Sequence, residues 1–354
     1  MLEELKTKGN ALRPMNSQTA SSSEKAPYDK AESQAASLKA QARLKAIQGQ
    51  KVPVFMDPRT YSPGNIFYKL IHKETGFSTH EYPESAHTIT FDDLRKRTKE
   101  HFLVVPKGNY ISFPHFMTHA SDQEVVDLLH EIARIAESKK LDQTGYRIAS
   151  NHAVHFGRTS QDNDANQEVP YFHIHVVGGE ALGKPITGDQ SNKYNMGIWN
   201  VATDLPFGFG IDEKALLSMI NKNKIAARNF TYHTNKTATV LAYRVPSQTF
   251  GIPYYIEFVI LGQDQKPMFH SFHDFAKDAA IEIVKPLLDF VKDVAAYVGI
   301  YETGYRIVAN HGVDALQPSH SFFQFFLAGG TRLGITATNI YNNENISFAK
   351  GVLD

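Results

Sequence analysis

The 354-residue chain predicts an α+β fold of two tandem units, each an antiparallel sheet with a helix packed on one face. Three observations carry this. First, Thr144-Gly145-Tyr146-Arg147-Ile148-Ala149-Ser150-Asn151-His152 returns as Thr303-Gly304-Tyr305-Arg306-Ile307-Val308-Ala309-Asn310-His311, and an internal repeat sets the architecture before any single element does. Second, each copy follows a stretch with apolar residues at helical spacing. Third, each copy leads through a loop into an aromatic strand closed by a glycine pair, Gly178-Gly179 and then Gly329-Gly330.

The elements follow in order. Residues 1–50 are rich in Ser, Ala, Lys, Glu and Gln. From Asn16 to Ala26 there is too little apolar surface to offset ordering entropy, and Lys30 to Ile47 would form an Ala-rich helix only against a partner surface. A flexible or partly helical tail is expected there. The first unit, 51–190, opens near Pro53, with a short helix over Asn65–Glu74 and strands near Ser78–Tyr82, Ala86–Asp92 and His101–Pro106. Ser121-Asp122-Gln123-Glu124 reads as a capping box, opening a helix whose Val125, Leu128, Leu129, Ile132 and Ile135 share a face. Strands follow at Tyr146–Ser150 and Tyr171–Val177, separated by a long polar loop. In the second unit, 191–354, one helix is expected from Asp274 to Val298, packing Ile281, Val284, Leu288 and Val291. Tyr255–Leu261 can be laid over the strand that begins at His101, with Glu257 standing where His101 stands.

The chemistry concentrates in Tyr171-Phe172-His173-Ile174-His175-Val176-Val177-Gly178-Gly179. In a strand, alternate side chains share a face, so Tyr171, His173 and His175 point one way and Phe172, Ile174 and Val176 the other. A lone histidine on an apolar strand is most often a satisfied core residue; two on one face before Gly-Gly weaken that reading. Histidines at i and i+2 could share a metal ion, but a further ligand is needed and would have to be Asp or His, because the chain has no cysteine. Nucleophilic or acid–base chemistry suits a group that titrates near neutrality.

This segment resembles the histidine-triad (HIT) nucleotide hydrolases and transferases, whose strand reads His-φ-His-φ-His-φ-φ, commonly followed by Gly-Gly. The likeness extends in family order across about 64–180. It takes in Ile66-Phe67-Tyr68-Lys69-Leu70-Ile71, Thr90-Phe91-Asp92-Asp93-Leu94, His101-Phe102-Leu103-Val104-Val105-Pro106-Lys107 and Gly145-Tyr146-Arg147-Ile148-Ala149-Ser150-Asn151. The resemblance implies that His173, at the middle triad position, attacks the α-phosphorus of a nucleotide conjugate. A nucleotidyl-histidine forms, and its hydrolysis releases a nucleoside monophosphate. It implies that His175 and His101 bind the phosphate oxygens and that a strand carbonyl holds His173 in the required tautomer. Asp93 would take the ribose hydroxyls, Ile66, Phe67, Phe91 and Leu94 would wall the base, and Asn151 would lie on the phosphate side. Tyr171 occupies the first triad position, where its hydroxyl can still donate a hydrogen bond. Glu168 falls where the family often has a serine near the leaving group. No metal and no cofactor are implied.

The copies are not equivalent. Counted back from Gly329, Phe322, Gln324 and Phe326 occupy the triad positions of the second copy, which is expected to be catalytically dead. In the family two units pair through a continuous sheet, so the repeat is expected to form an intramolecular pseudo-dimer, as a monomeric chain. Galactose-phosphate uridylyltransferases also join an active unit to a decayed one. A nucleotidyltransferase or phosphorylase, a nucleotide-binding pseudoenzyme and a metal-dependent protein therefore stay open beside the hydrolase. Thirty-seven basic residues balance 37 acidic ones, so global charge argues for neither nucleic acid nor membrane as a partner. The basic run Arg95-Lys96-Arg97-Thr98-Lys99 could hold a polyphosphate or a nucleic-acid end, but a solvated hairpin is favoured. No long apolar run or signal-peptide core is seen, and a cytoplasmic location is expected.

Overall fold

The computed structural model describes residues 64–74, 82–83, 85–153, 164–165, 167–182, 213–244, 254–315, 323–330 and 333. The expected N-terminal tail, most of the strand near Ser78–Tyr82 and the boundary near 190 lie outside them. The first unit contributes α1 (Ile66–Ile71), β1 (Thr88–Asp92), β2 (Glu100–Pro106), α2 (Phe113–His119), α3 (Asp122–Ser138), α4 (Leu141–Thr144), β3 (Tyr146–His152) and β4 (Ile174–Gly178). The second contributes α5 (Glu213–Asn223), β5 (Lys224–Tyr232), β6 (Lys236–Arg244), β7 (Tyr254–Leu261), α6 (Phe272–Asp278), α7 (Ile281–Tyr297), β8 (Tyr305–His311) and β9 (Gln324–Gly329).

All described strands join one nine-stranded antiparallel sheet in the order β1-β2-β4-β3-β8-β9-β7-β6-β5. The units meet at β3 and β8, the two copies of the repeat. Their register runs from Tyr146 opposite His311 to His152 opposite Tyr305, centred on the equivalent residues Ala149 and Val308. Equivalent residues therefore exchange partners, as across a two-fold axis. Arg147 Nε donates to Asn310 Oδ1 at 2.7 Å, and Arg306 Nε donates to Asn151 Oδ1 at the same 2.7 Å. The repeat's glycines serve the same junction. Gly145 has φ +131°, and a Cβ there would lie 2.7 Å from the His311 carbonyl oxygen; Gly304, at φ +105°, faces the His152 carbonyl at 2.9 Å. The two units thus share one continuous sheet, paired through β3 and β8.

Strand alternation sorts the sheet's two faces. Phe102, Val104, Ile148, Ile174 and Val176 of the first unit, with Ile256, Phe258, Ile307, Phe325 and Leu327 of the second, face the helices and share one core with α3 and α7. The opposite face carries His101, Leu103, His175, Arg147 and Arg306. The capping box of α3 forms as expected: Ser121 Oγ accepts from the Glu124 amide, and the Glu124 carboxylate accepts from the Ser121 amide. Such a cap contributes on the order of 1 kcal/mol.

Three sequence expectations are corrected. The helix expected from Asp274 to Val298 is two helices, broken where Ala279 and Ala280 are extended at ψ 125° and 157°. Alanine favours helix, so nothing local announces the break. Phe272 and Phe275 bury beside Tyr146 and Phe323 while α7 presents its own apolar stripe to the same core, so the chain turns between the two helices. The strand expected over Tyr171–Val177 starts at Ile174; before it the Phe172 amide leaves the ladder to bond the Tyr110 carbonyl at 2.6 Å. Third, Glu257 is not the counterpart of His101. Glu100 pairs with Gly178 and Tyr254 with Gly329, so Tyr255 stands where His101 stands and Glu257 where Leu103 stands.

Candidate active site

The asparagine cap at the start of α1 sets one wall. Asn65 Oδ1 accepts from the Phe67 amide at 2.9 Å, fixing a helix short enough that Phe67 and Leu70 are its buried residues. Phe67 meets Phe91 at 5.5 Å, Tyr171 at 6.1 Å and His173 edge-on at 5.1 Å between ring centroids. Ile66 packs partly buried against the same cluster. Leu94, expected in this wall, is 80% exposed in the turn after β1 and stands apart from it.

His173 lies at the cluster's edge, 6% exposed. Its Nδ1 sits 2.7 Å from the Tyr171 carbonyl oxygen, which can only accept, so Nδ1 carries the proton and Nε2 keeps its lone pair. Burial pushes its pKa below the usual histidine value, opposed by that bond and by the charges of Asp93 and Glu168. The imidazole is therefore neutral at pH 7. Tyr171 itself is fully buried and donates its hydroxyl to the Gly108 carbonyl at 2.8 Å, so it braces the strand and offers that hydrogen to no ligand. Ser150 Oγ bonds the His173 carbonyl at 3.0 Å and holds the same segment from β3.

His175 and His101 form a directed chain. The Arg97 amide donates to His101 Nδ1 at 3.2 Å, which puts His101's proton on Nε2. That nitrogen is 3.1 Å from His175 Nδ1, which accepts, leaving His175 with its proton on Nε2. His101 is only 1% exposed, so it reaches the site through His175 and does not line the site beside it. Burial holds both below the usual histidine value; for His175 the neighbouring His173, His101, Arg97 and Arg306 add to it. Asp93, expected at the ribose, has Oδ1 bonded to the Arg95 amide at 2.7 Å and Oδ2 3.4 Å from His101 Nε2.

Ligand atoms of Asp93, His101 and His175 lie within 4.8 Å of one another, the spacing a metal ion would need. The donor set does not suit one as it stands, because His101 turns an N–H and not a lone pair toward the other two. The basic run is the exposed hairpin expected: Arg95, Lys96, Arg97 and Lys99 are exposed, and Lys96 pairs with Asp92. Glu168 is exposed as well, with its charge felt at His173. Asn151 is 8% exposed and tied to Arg306, a residue that motif reading of the first unit alone could not supply.

The second unit repeats the frame with other side chains. The Phe326 and Tyr255 rings meet, tilted, at 4.7 Å where those of His175 and His101 sit 5.3 Å apart. Tyr243 and Glu257 form a buried hydrogen bond where Phe91 and Leu103 pair apolar surfaces. Gln324's side chain lies outside the described residues.

The chain belongs to the histidine-triad (HIT) family. It is 34% identical over 129 residues to an uncharacterised 13.2 kDa HIT-like protein of Azospirillum brasilense, a match covering 36% of this chain and 97% of that protein. It is 29% identical over 123 residues to the purine nucleoside phosphoramidase of Escherichia coli K12, covering 33% of this chain and 89% of that one. Among solved structures, a uridylyltransferase covers 80% of this chain and 83% of its own, at 11% identity and a TM-score of 0.40. No protein-family model matches the chain. Among the described residues, no helix is long and apolar enough to cross a membrane.

Proposed function

We propose that the protein hydrolyses a nucleotide conjugate at its α-phosphate through a nucleotidyl-histidine on His173, releasing a nucleoside monophosphate. The observation that carries this is the 2.7 Å bond from His173 Nδ1–H to the Tyr171 carbonyl, which leaves an unprotonated Nε2 beside the Nε2–H of His175. In the first step the Nε2 lone pair forms a bond to phosphorus as the bond to the leaving group breaks. His175 Nε2–H donates to a phosphoryl oxygen as charge develops on it. In the second step water displaces the histidine. The aromatic wall of Phe67 and Phe91 suits a nucleobase, whose two flat faces match edge and face contacts.

The purine nucleoside phosphoramidase among its relatives makes a phosphoramidate the first substrate to try. Transfer to an acceptor other than water uses the same intermediate, so a nucleotidyltransferase is the second reading. In this reading residues 51–190 carry catalysis, and residues 191–354 are a degenerate partner that makes the chain a monomer. His173→Ala should abolish turnover while nucleotide binding survives, and labelled substrate should leave an acid-labile phosphoramidate on wild-type His173. Wild-type turnover by the alanine variant would sink the mechanism.

A further inference from the structure

The second unit, although its own triad positions hold Phe326 and Gln324, sends one side chain across the pseudo-twofold to the first unit's site. Arg306 is fully buried, and its Nε donates to Asn151 Oδ1 at 2.7 Å while its terminal nitrogen lies 3.3 Å from the Ala165 carbonyl. A guanidinium has no acceptor, so the bond fixes which end of the Asn151 carboxamide is oxygen. The amino group then points away from Arg306. Asn151 shares its sheet face with Ala149, and Ala149 lies directly across the ladder from His175. The amino group of Asn151, a residue 8% exposed, has no hydrogen-bond partner among the described residues.

We infer that Arg306 is a positioning residue for the first unit's site: it holds the Asn151 carboxamide with its N–H groups toward the phosphate that His173 attacks. This rests on the proposed nucleotide chemistry and adds to it a task for the decayed unit. The guanidinium also places positive charge beside His175, one of the influences that keep that imidazole unprotonated. The mirror-image clamp supplies the control. Arg147 Nε holds Asn310 Oδ1 at the same 2.7 Å, and its terminal nitrogen is 3.4 Å from the Ala315 carbonyl, but the rings nearby are Phe326 and Tyr255. The two arginines make the same junction, and one of them serves a site.

The test compares Arg306→Gln with Arg147→Gln, below the unfolding temperature of both, by calorimetric binding of AMP and of adenosine and by kcat and KM on an adenosine phosphoramidate. Both variants should lose similar thermal stability. Arg306→Gln should lose tenfold or more in AMP affinity and in kcat, with adenosine affinity within twofold; Arg147→Gln should stay within twofold throughout. Asn151→Asp keeps an acceptor for Arg306, and so the fold, while replacing the donor by a carboxylate oxygen; it should lose AMP affinity as Arg306→Gln does. Equal effects of the two arginine variants, or AMP binding by Asn151→Asp at the wild-type level, would overturn the inference and show Arg306 to be a structural clamp alone. His173→Ala measured alongside separates the two levels. If it keeps turnover while Arg306→Gln still loses AMP selectively, the nucleophile assignment fails and the positioning stands. Failure of wild type to bind AMP or adenosine would overturn both.

Discussion

Replacing His101 by alanine tests the proton chain without touching the nucleophile. In the folded protein the Arg97 amide donates to His101 Nδ1 at 3.2 Å, and His101 Nε2 donates to His175 Nδ1 at 3.1 Å. The variant loses both bonds and leaves a cavity where a side chain was 1% exposed. Each lost bond is worth about 1 kcal/mol net and the cavity about 2 more, so a stability loss of roughly 3–4 kcal/mol is expected. The catalytic effect has a separate origin. Without a donor at its Nδ1, His175 can place its proton there and present a lone pair to the phosphate. With that tautomer predominant, a charge-assisted hydrogen bond of about 1.5–3 kcal/mol is lost, which lowers kcat by about 10- to 100-fold. His101→Gln, whose amide N–H can reach toward the Nε2 position, should recover part of the rate. The assay is steady-state turnover of an adenosine phosphoramidate at a temperature where circular dichroism shows each variant folded. A double variant His101→Ala/His175→Ala should be no slower than His175→Ala alone. Full multiplication of the two losses, or wild-type kcat in His101→Ala, would refute a role exerted through His175.

Acid should affect turnover and stability in the same direction. Burial keeps His173 below the usual histidine pKa, so kcat should stay flat from pH 8 to about 6.5 and fall only on further acidification. His152 and His115 are pushed by burial from 6.5 to about 3 and about 4, so the unfolded chain binds more protons between those values and 6.5. Their contribution is complete above pH 6.5 and is lost as pH falls through that window; the melting temperature at pH 5 should lie below that at pH 7.5, and an unchanged one would contradict it. Chelator should leave activity intact, since His101 offers the Asp93–His175 cluster an N–H; loss with EDTA restored by one divalent ion would favour the metal reading instead. A chain ending near 190 exposes the seven-residue β3 edge and leaves Arg147 without Asn310, so light scattering should find aggregate or homodimer. A soluble, fully active monomer would show that the second unit is dispensable.

The sequence by itself determined the two-unit plan, the capping box of α3 and the shared face of His173 and His175. The plan rests on a motif that recurs in the second half of the chain; the cap and the shared face depend on neighbours a few residues apart, and such relations survive in any fold that keeps the strand or helix. Only the tertiary structure decided that Tyr255 and not Glu257 matches His101. The two differ by two residues and so share a sheet face; alternation cannot separate registers an even number apart, and only the ladder partners Gly178 and Gly329 do so. The break at Ala279–Ala280 was invisible for a related reason, because alanine prefers the helix and distant aromatic packing overrides it. The reach of Arg306 to Asn151 required knowing that β3 lies against β8 in centred antiparallel register. The repeat named the two strands, but only the folded sheet shows their pairing, and with it the meeting of Arg306 and Asn151.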